Sequence, residues 1–143
     1  MTTERLAIER LDRVALAVSD LDRGASFFER LLGLRFDPAV SDERLGMTAR
    51  YSREGLELVS GTPGSVIDQF TRARGEGVFC VVFKVSDMEA AIAHFRDCGL
   101  EPVNDVTFGE LREVAFHPKA AHGLQIVLAA YPEPHPATRA AGG

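Results

Sequence analysis

The fold is decided by the stretch Arg13-Val-Ala-Leu-Ala-Val-Ser-Asp-Leu-Asp-Arg-Gly-Ala-Ser-Phe-Phe28, because a similar stretch, Cys80-Val-Val-Phe-Lys-Val-Ser-Asp-Met-Glu-Ala-Ala-Ile-Ala-His-Phe95, follows later in the chain. Each stretch runs from an apolar segment through Ser-Asp into a helix-like segment. This repetition predicts that two copies of one supersecondary unit make up most of the chain, with a site between the copies. We therefore expect functional side chains at positions that match between the copies but differ in residue type.

Length and charge narrow the class of protein. The 143 residues fit one globular domain with a single core. A net charge of -5 argues against a surface that binds polyanions, so we do not expect nucleic acid as a partner. The sequence shows neither a signal peptide nor a stretch long enough to cross a membrane. We therefore expect a cytoplasmic protein without a membrane partner, with Cys80 and Cys98 as reduced thiols.

The first copy has the pattern βαβββ. Residues 11–18 form an apolar, β-branched run that predicts a buried strand. Ser19-Asp20-Leu21-Asp22 predicts a helix N-cap, and Gly33 predicts the end of that helix. The remaining strands of this copy are expected near 34–37, 46–52 and 55–60.

The second copy repeats the pattern. A strand is expected over 78–85, and a helix is expected to follow a capping box formed by Ser86 and Glu89. Three further strands are expected near 101–105, 111–117 and 124–130.

These elements predict a single domain over residues 8–130. It consists of one module over 8–60, a connector over 61–76 and a second module over 77–130. From Tyr131 onward the chain carries too few apolar residues to pack, so residues 131–143 are predicted to be a disordered tail.

Paired βαβββ units whose helices end in Leu-Gly-Leu or Cys-Gly-Leu resemble the vicinal oxygen chelate superfamily, which includes glyoxalase I, bleomycin-resistance proteins and extradiol dioxygenases. Two strings, Arg74-Gly-Glu-Gly-Val78 and Phe116-His-Pro-Lys-Ala-Ala-His-Gly123, are most similar to those of the methylmalonyl-CoA epimerases. The resemblance implies an α+β fold in which the two modules form a curled mixed sheet cup. It also implies a homodimer, which would cover the edges of the sheets.

The resemblance further implies positions for the ligands of a divalent metal. In relatives the four ligand positions carry, in chain order, a His, a Glu or Gln, a second His and a Glu. Here the same positions carry Arg13, Glu57, Cys80 and Val127. A hard divalent ion needs oxygen ligands, and only Glu57 offers them, whereas Arg13 is itself a cation. We therefore predict that the fold is kept without the metal, and we expect no cofactor.

Arg13, Glu57 and Cys80 are the candidate catalytic residues, and each has two interpretations. Arg13 either supplies the positive charge of the missing metal to a substrate carboxylate or enolate, or it pairs with Glu57 and fills the space. Glu57 is a good base only if Arg13 does not hold it, so these two roles compete. Cys80 is either a nucleophile or proton donor beside a cation, or a small core residue.

Alternation along the strands predicts which side chains line the cup. Such a cup is mostly apolar with a few polar groups, and this suits a small-molecule ligand. A turn at the rim of the cup adds two histidines, His117 and His122, and one lysine, Lys119. The resemblance implies that Lys119 contacts a phosphate. The expected substrate-binding set is Ala15, Val82, Lys84, Lys119, His122, Gln125 and Val127.

The function expected from these residues is that of a metal-independent isomerase or lyase. It would act beside the carbonyl of a small, acyl-CoA-like or natural-product substrate. The alternative is a protein that binds a drug or metabolite without chemistry, as bleomycin-resistance relatives do. A conventional divalent-metal epimerase or glyoxalase is the third hypothesis, and it requires ligands at other positions than those assigned here.

Overall fold

The computed structural model describes Leu6 and residues 8–136, and these divide into two units. The first unit comprises residues 13–79. The second unit comprises residues 80–136 together with the described residues up to Asp12. The strand β1, Ile8–Ala17, passes from the second unit into the first between Asp12 and Arg13.

The other elements of the described residues follow the predicted order. The helices are α1 Leu21–Leu32, α2 Val66–Arg74 and α3 Met88–Asp97, and a 3-10 turn spans Pro118–Ala121. The strands after β1 are β2 Val40–Asp42, β3 Met47–Tyr51, β4 Leu56–Gly61, β5 Gly77–Val85, β6 Pro102–Phe108, β7 Leu111–Phe116 and β8 Ile126–Ala130. Among the helices formed by the described residues, none has the length and apolar character needed to cross a bilayer.

In the first unit the strand order is β2-β3-β4-β1, with β1 parallel to β4 and the other neighbours antiparallel. Helix α1 begins where the Asp20 side chain accepts a hydrogen bond from the backbone N–H of Arg23. It ends at Gly33, whose φ of 72° lies in the left-handed region that glycine tolerates best. Both helix ends confirm the signals in the sequence.

Two apolar clusters cover the two faces of this first sheet. The cluster beneath α1 contains Val18, Ala25, Phe36 and Leu58. The cluster beneath α2 contains Ala17, Ala49, Val59 and Ile67. Because side chains alternate along a strand, Arg13 shares the face of Ala17, and Glu57 shares the face of Val59.

In the second unit the strand order is β5-β8-β7-β6, with β5 parallel to β8. Val82 lies opposite Val127, as Ala15 lies opposite Glu57 in the first unit. The two modules therefore match in register, and the predicted α+β class with two βαβββ modules is confirmed. The buried residues beneath α3 are Val85, Met88, Ala91, Ile92, Val114, Phe116 and Leu128.

Two local predictions are corrected. The strand expected at 34–37 is only a bridge between Phe36 and Ser52, and the edge strand forms later as β2, beyond Pro38, which has no N–H to donate. Helix α3 is capped by Asp87, whose side chain accepts from the backbone N–H of Ala90. The predicted capping box at Ser86 is therefore wrong by one residue, and Asp87 plays the part that Asp20 plays in α1.

The C-terminal segment is ordered further than the composition indicates. Tyr131 and His135 are buried, and their rings meet edge to face with centroids 4.8 Å apart. The predicted disorder therefore does not hold for residues 131–136, and the rest of the predicted tail, residues 137–143, lies outside the described residues. The module boundaries stay a prediction.

Candidate functional site

A buried ion pair joins β1 to β4 in the first unit. Arg13 Nε donates a hydrogen bond to Glu57 Oε1 over 3.0 Å, and the two side chains are 6% and 5% exposed. The contact follows from register, because Glu57 lies opposite Ala15, two residues beyond Arg13 on the same strand face. Two of the predicted catalytic residues are thus in direct contact.

Tyr51 also belongs to this site, and it is not among the residues predicted from the sequence. The guanidinium carbon of Arg13 lies 5.3 Å from the centroid of the Tyr51 ring, a cation–π distance. Tyr51 is the register partner of Glu57 across the β3–β4 hairpin. The turn around Gly55 was visible in the sequence, and pairing the strands outward from it would have found Tyr51.

The contact bears directly on the two competing roles of Glu57. A carboxylate that accepts a hydrogen bond from a guanidinium is a weaker acceptor for a further proton. The contact is the second of the two alternatives for Arg13, pairing with Glu57, and it argues against Glu57 as a base. The catalytic roles of both residues stay predictions. Removing one partner would take away the opposite charge of a buried ion pair, at a cost of about 3–5 kcal/mol.

In the second unit, Cys80, Val82 and Lys84 alternate along β5 and are all buried. Val82 lies beside Val127 of β8, so the position that matches Glu57 is apolar here. Cys80 is a buried thiol at the position that matches Arg13. Its predicted catalytic role stays a prediction.

Lys84 is surrounded by polar groups that the sequence pattern did not predict as its partners. Its Nζ lies 2.7 Å from Glu9 Oε2, 3.5 Å from Glu133 Oε1 and 4.7 Å from the centroid of the Tyr131 ring. Two of these partners follow residue 130, where disorder was predicted, and this explains why they were missed.

The hydroxyl group of Tyr131 links Lys84 to further charges. It donates to Asp12 Oδ1 over 2.7 Å and accepts from Arg10 Nη2 over 3.0 Å. Burial, together with the hydrogen bond to Asp12, raises the pKa of Tyr131 above its ordinary value. We call the set Glu9, Arg10, Asp12, Lys84, Tyr131 and Glu133 the Lys84 cluster.

Of the remaining predicted substrate-binding residues, Ala15 is buried on β1 in the first unit, and the others lie elsewhere in the second unit. Lys119 is exposed on the 3-10 turn, which His117 caps by accepting from the backbone N–H of Lys119. His122 is exposed and has a left-handed φ of 56°. Gln125 is half-buried, and its carbonyl oxygen accepts from the backbone N–H of Val81. Their contacts with a ligand stay predictions.

The donor set does not fit a divalent metal. Within Leu6 and residues 8–136 there is no group of three or more His, Cys, Asp or Glu side chains arranged to hold a metal ion. At the positions that the resemblance points to, Arg13 lies against Glu57, so the hard oxygen donor already faces a cation. Val127, at another of these positions, has no donor atom at all.

A family model of the glyoxalase/bleomycin resistance protein/dioxygenase superfamily matches residues 12–116. The chain therefore belongs to this superfamily. No curated protein matches the chain.

Solved structures of several proteins share the fold. Methylmalonyl-CoA epimerase from Mycobacterium tuberculosis is 26% identical, with 97% of each chain covered and a TM-score of 0.81. A variant of Streptomyces coelicolor methylmalonyl-CoA epimerase in complex with 2-nitronate-propionyl-CoA is 23% identical, with 87% of this chain and 99% of that chain covered and a TM-score of 0.80. A hypothetical protein from Bacillus halodurans C-125 is 22% identical, with 88% and 96% covered and a TM-score of 0.81. These likenesses confirm the predicted vicinal oxygen chelate fold.

Proposed function

We propose that this protein is a metal-independent isomerase or lyase that acts beside the carbonyl group of a small substrate, acyl-CoA-like or a natural product. The observation that carries the proposal is the buried Arg13–Glu57 pair, in which a fixed cation stands at the position that the resemblance assigns to a metal-ligating histidine. The likeness to methylmalonyl-CoA epimerases, one of them in complex with an acyl-CoA analogue, supports the substrate class.

Arg13 is the electrostatic group in this proposal. Removing a proton from the carbon beside a carbonyl leaves negative charge on the carbonyl oxygen, and a guanidinium held in place stabilises that charge. Glu57 fixes the orientation of Arg13 through Nε, and the Tyr51 ring supports the guanidinium from one side. The cation is thus oriented before substrate arrives, which is the condition under which electrostatic stabilisation is most effective.

The proton removed from the substrate carbon requires an acceptor. Glu57 and Cys80 are the two candidates for this role. The acceptor takes the proton from one face of the substrate carbon, and a proton delivered from a donor to the opposite face of the resulting enolate gives the isomer. Because Arg13 already engages Glu57, a Glu57→Gln variant tests the base and the positioning role together. Cys80→Ser tests the thiol alone.

Deuterium exchange tests the proposal directly. Methylmalonyl-CoA is incubated with the protein in D₂O, with and without EDTA, and exchange at the carbon beside the thioester carbonyl is followed by NMR. We expect exchange to persist in EDTA and to fall about 100- to 1000-fold in Arg13→Met, as when an oxyanion donor is removed. Arg53→Met, an exposed arginine in the neighbouring turn, is the control. Exchange that requires added Co²⁺ or Mn²⁺, or that Arg13→Met leaves unchanged, would refute the proposal.

A second candidate function is binding without chemistry. The observation that favours it is the same contact, since the carboxylate of Glu57 already accepts a hydrogen bond from Arg13 and is engaged within the protein. A ligand recovered unaltered by mass spectrometry after binding supports this function, and product formation excludes it.

The third hypothesis, a conventional metal enzyme, is decided by elemental analysis of protein purified in the presence of Ni²⁺, Co²⁺ and Mn²⁺. Stoichiometric metal would contradict the metal-independent proposal. The homodimer and the cytoplasmic location stay predictions.

A further inference from the structure

The second unit buries a cation that its fold does not require. Lys84 lies opposite Ala129 on β8, and the matching residue of the first module, Ala17, lies opposite Val59 on β4. Ala17 is fully buried in an apolar cluster. The same structural position therefore accepts a small apolar side chain in one module and carries an ammonium group, only 7% exposed, in the other.

Two cations of the Lys84 cluster converge on one carboxylate oxygen. Glu133 Oε1 accepts from Arg10 Nη2 and lies 3.5 Å from Lys84 Nζ. The hydrogen bond from Arg10, aided by the charge of Lys84, holds the pKa of Glu133 below its ordinary value. Glu133 Oε1 thus marks a point where the protein holds a negatively charged oxygen atom.

The carboxylate of Glu133 is held less firmly at this point than the ammonium group of Lys84. The Glu133 side chain is 54% exposed and lies beyond the last strand, whereas Lys84 is fixed on β5. Exposed ion pairs contribute little to stability, so Glu133 can leave this point at low cost. Lys84 would remain paired, because its shorter contact is with Glu9.

We propose that Arg10 and Lys84 form a carboxylate-binding site, and that the chain's own Glu133 fills it in the free protein. The ligand is a small organic carboxylate, whose oxygen replaces Glu133 Oε1 between the two cations. In this exchange one carboxylate group replaces another between the two cations. The Tyr131 ring, against which Lys84 lies, forms the apolar wall beside the carboxylate. This site lies within the second unit and is independent of whether Arg13 takes part in catalysis.

The composition of the chain allows a direct test with malonate as the probe. The lysines of the chain are Lys84 and Lys119. Protein labelled with ¹³C at the lysine ε-carbon therefore gives one NMR signal from Lys84 at the site and one from the exposed Lys119, which is the control. Malonate is titrated at constant ionic strength against chloride. We expect the Lys84 signal to shift with saturation and the Lys119 signal to stay in place.

Removing the internal competitor should strengthen binding. In Glu133→Gln the dissociation constant for malonate should fall about two- to fivefold, the range set by the strength of an exposed ion pair. Glu101→Gln is the matched control, because Glu101 is an exposed glutamate paired with Arg96 in the same unit. Lys84→Met, followed through a fluorotyrosine signal at Tyr131, should abolish binding.

The proposal is overturned if malonate leaves the Lys84 signal unmoved in Glu133→Gln, or if Lys84 and Lys119 shift equally. Equal affinities in the wild type, Glu133→Gln and Glu101→Gln would also overturn it, since Glu133 would then not be the competitor. None of these outcomes depends on deuterium exchange or on Arg13, so failure here is distinguishable from failure of the proposed function.

Discussion

Tyr51 and Glu57 face each other across the β3–β4 ladder, and Arg13 of β1 contacts both. Glu57 accepts a hydrogen bond from the edge of the guanidinium, and Tyr51 presents its ring to the guanidinium carbon. One cation therefore connects three strands of the first unit. Its removal should affect the stability of the unit as well as any activity.

The Arg13–Glu57 pair can be tested by a double-mutant cycle. Arg13→Met or Glu57→Leu alone should lower the free energy of unfolding by about 3–5 kcal/mol, because each removes one charge of a buried ion pair and keeps the other. The double variant should recover much of this loss. Urea unfolding measures the effect, with the exposed pair of changes Arg53→Gln and Glu54→Gln as a control of about 0.5 kcal/mol or less. A double variant as unstable as the sum of the single variants would show that the charges are not coupled.

The ring of Tyr51 should stabilise the folded protein through its contact with the guanidinium of Arg13. Tyr51→Leu should destabilise the protein relative to Tyr51→Phe by about 0.5–2 kcal/mol, since phenylalanine keeps the π face that the cation contacts. The comparison is repeated by urea unfolding in the Arg13→Met background. If the difference between Leu and Phe is the same there, the cation contributes nothing to it.

The pKa of Tyr131 leads to a prediction at alkaline pH. Because the folded protein raises this pKa above its ordinary value of 10.0, the unfolded chain loses the tyrosine proton first as the pH rises. The contribution of Tyr131 to the free energy of unfolding is therefore complete below about pH 10, and it is lost progressively as the pH rises above this value. The stability difference between the wild type and Tyr131→Phe should shrink in that range.

Spectrophotometric titration measures the same property without unfolding the protein. The chain has 2 tyrosines and no tryptophan, so Tyr51→Phe leaves Tyr131 as the single phenol whose ionisation absorbs. Ionisation of Tyr131 near its ordinary pH in the folded protein would contradict the buried hydrogen bond to Asp12.

Acid should weaken two exposed contacts of the second unit. A hydrogen bond from Arg10 lowers the pKa of Glu133, and one from Arg112 lowers the pKa of Asp105. Each carboxylate therefore contributes stability above its ordinary pKa, and this contribution is lost as the pH falls through the lowered value. Both sites are exposed to solvent, so each effect should be about 1 kcal/mol or less.

The measurement compares the slope of stability against pH on the acid side for wild type, Glu133→Gln and Asp105→Asn. Each variant should give a flatter slope than the wild type. Asp97→Asn, at an exposed position near the end of α3, serves as the control. If both variants keep the slope of the wild type, these contacts do not hold the carboxylates ionised.

Local pattern was enough to predict the two modules, a helix cap within Ser19-Asp20-Leu21-Asp22 and, as one of two interpretations of Arg13, its contact with Glu57. Each of these depends on alternation, helix signals or the match between the copies, which short stretches of sequence carry. The Lys84 cluster could not be predicted in this way. It joins Glu9 and Arg10, at the start of β1, to Tyr131 and Glu133, and no local rule relates residues so far apart in the chain.

The hydrogen bonds of Tyr131 also determine where the chain can be shortened. Composition suggests Ala130 as the last residue worth keeping for expression or crystallisation. A cut there would remove the phenol that lies between Asp12 and Arg10 and the ring against which Lys84 lies. A protein cut after Ala130 would therefore also lose contacts of Arg10 and Asp12 in β1, because residues after β8 hold these two side chains.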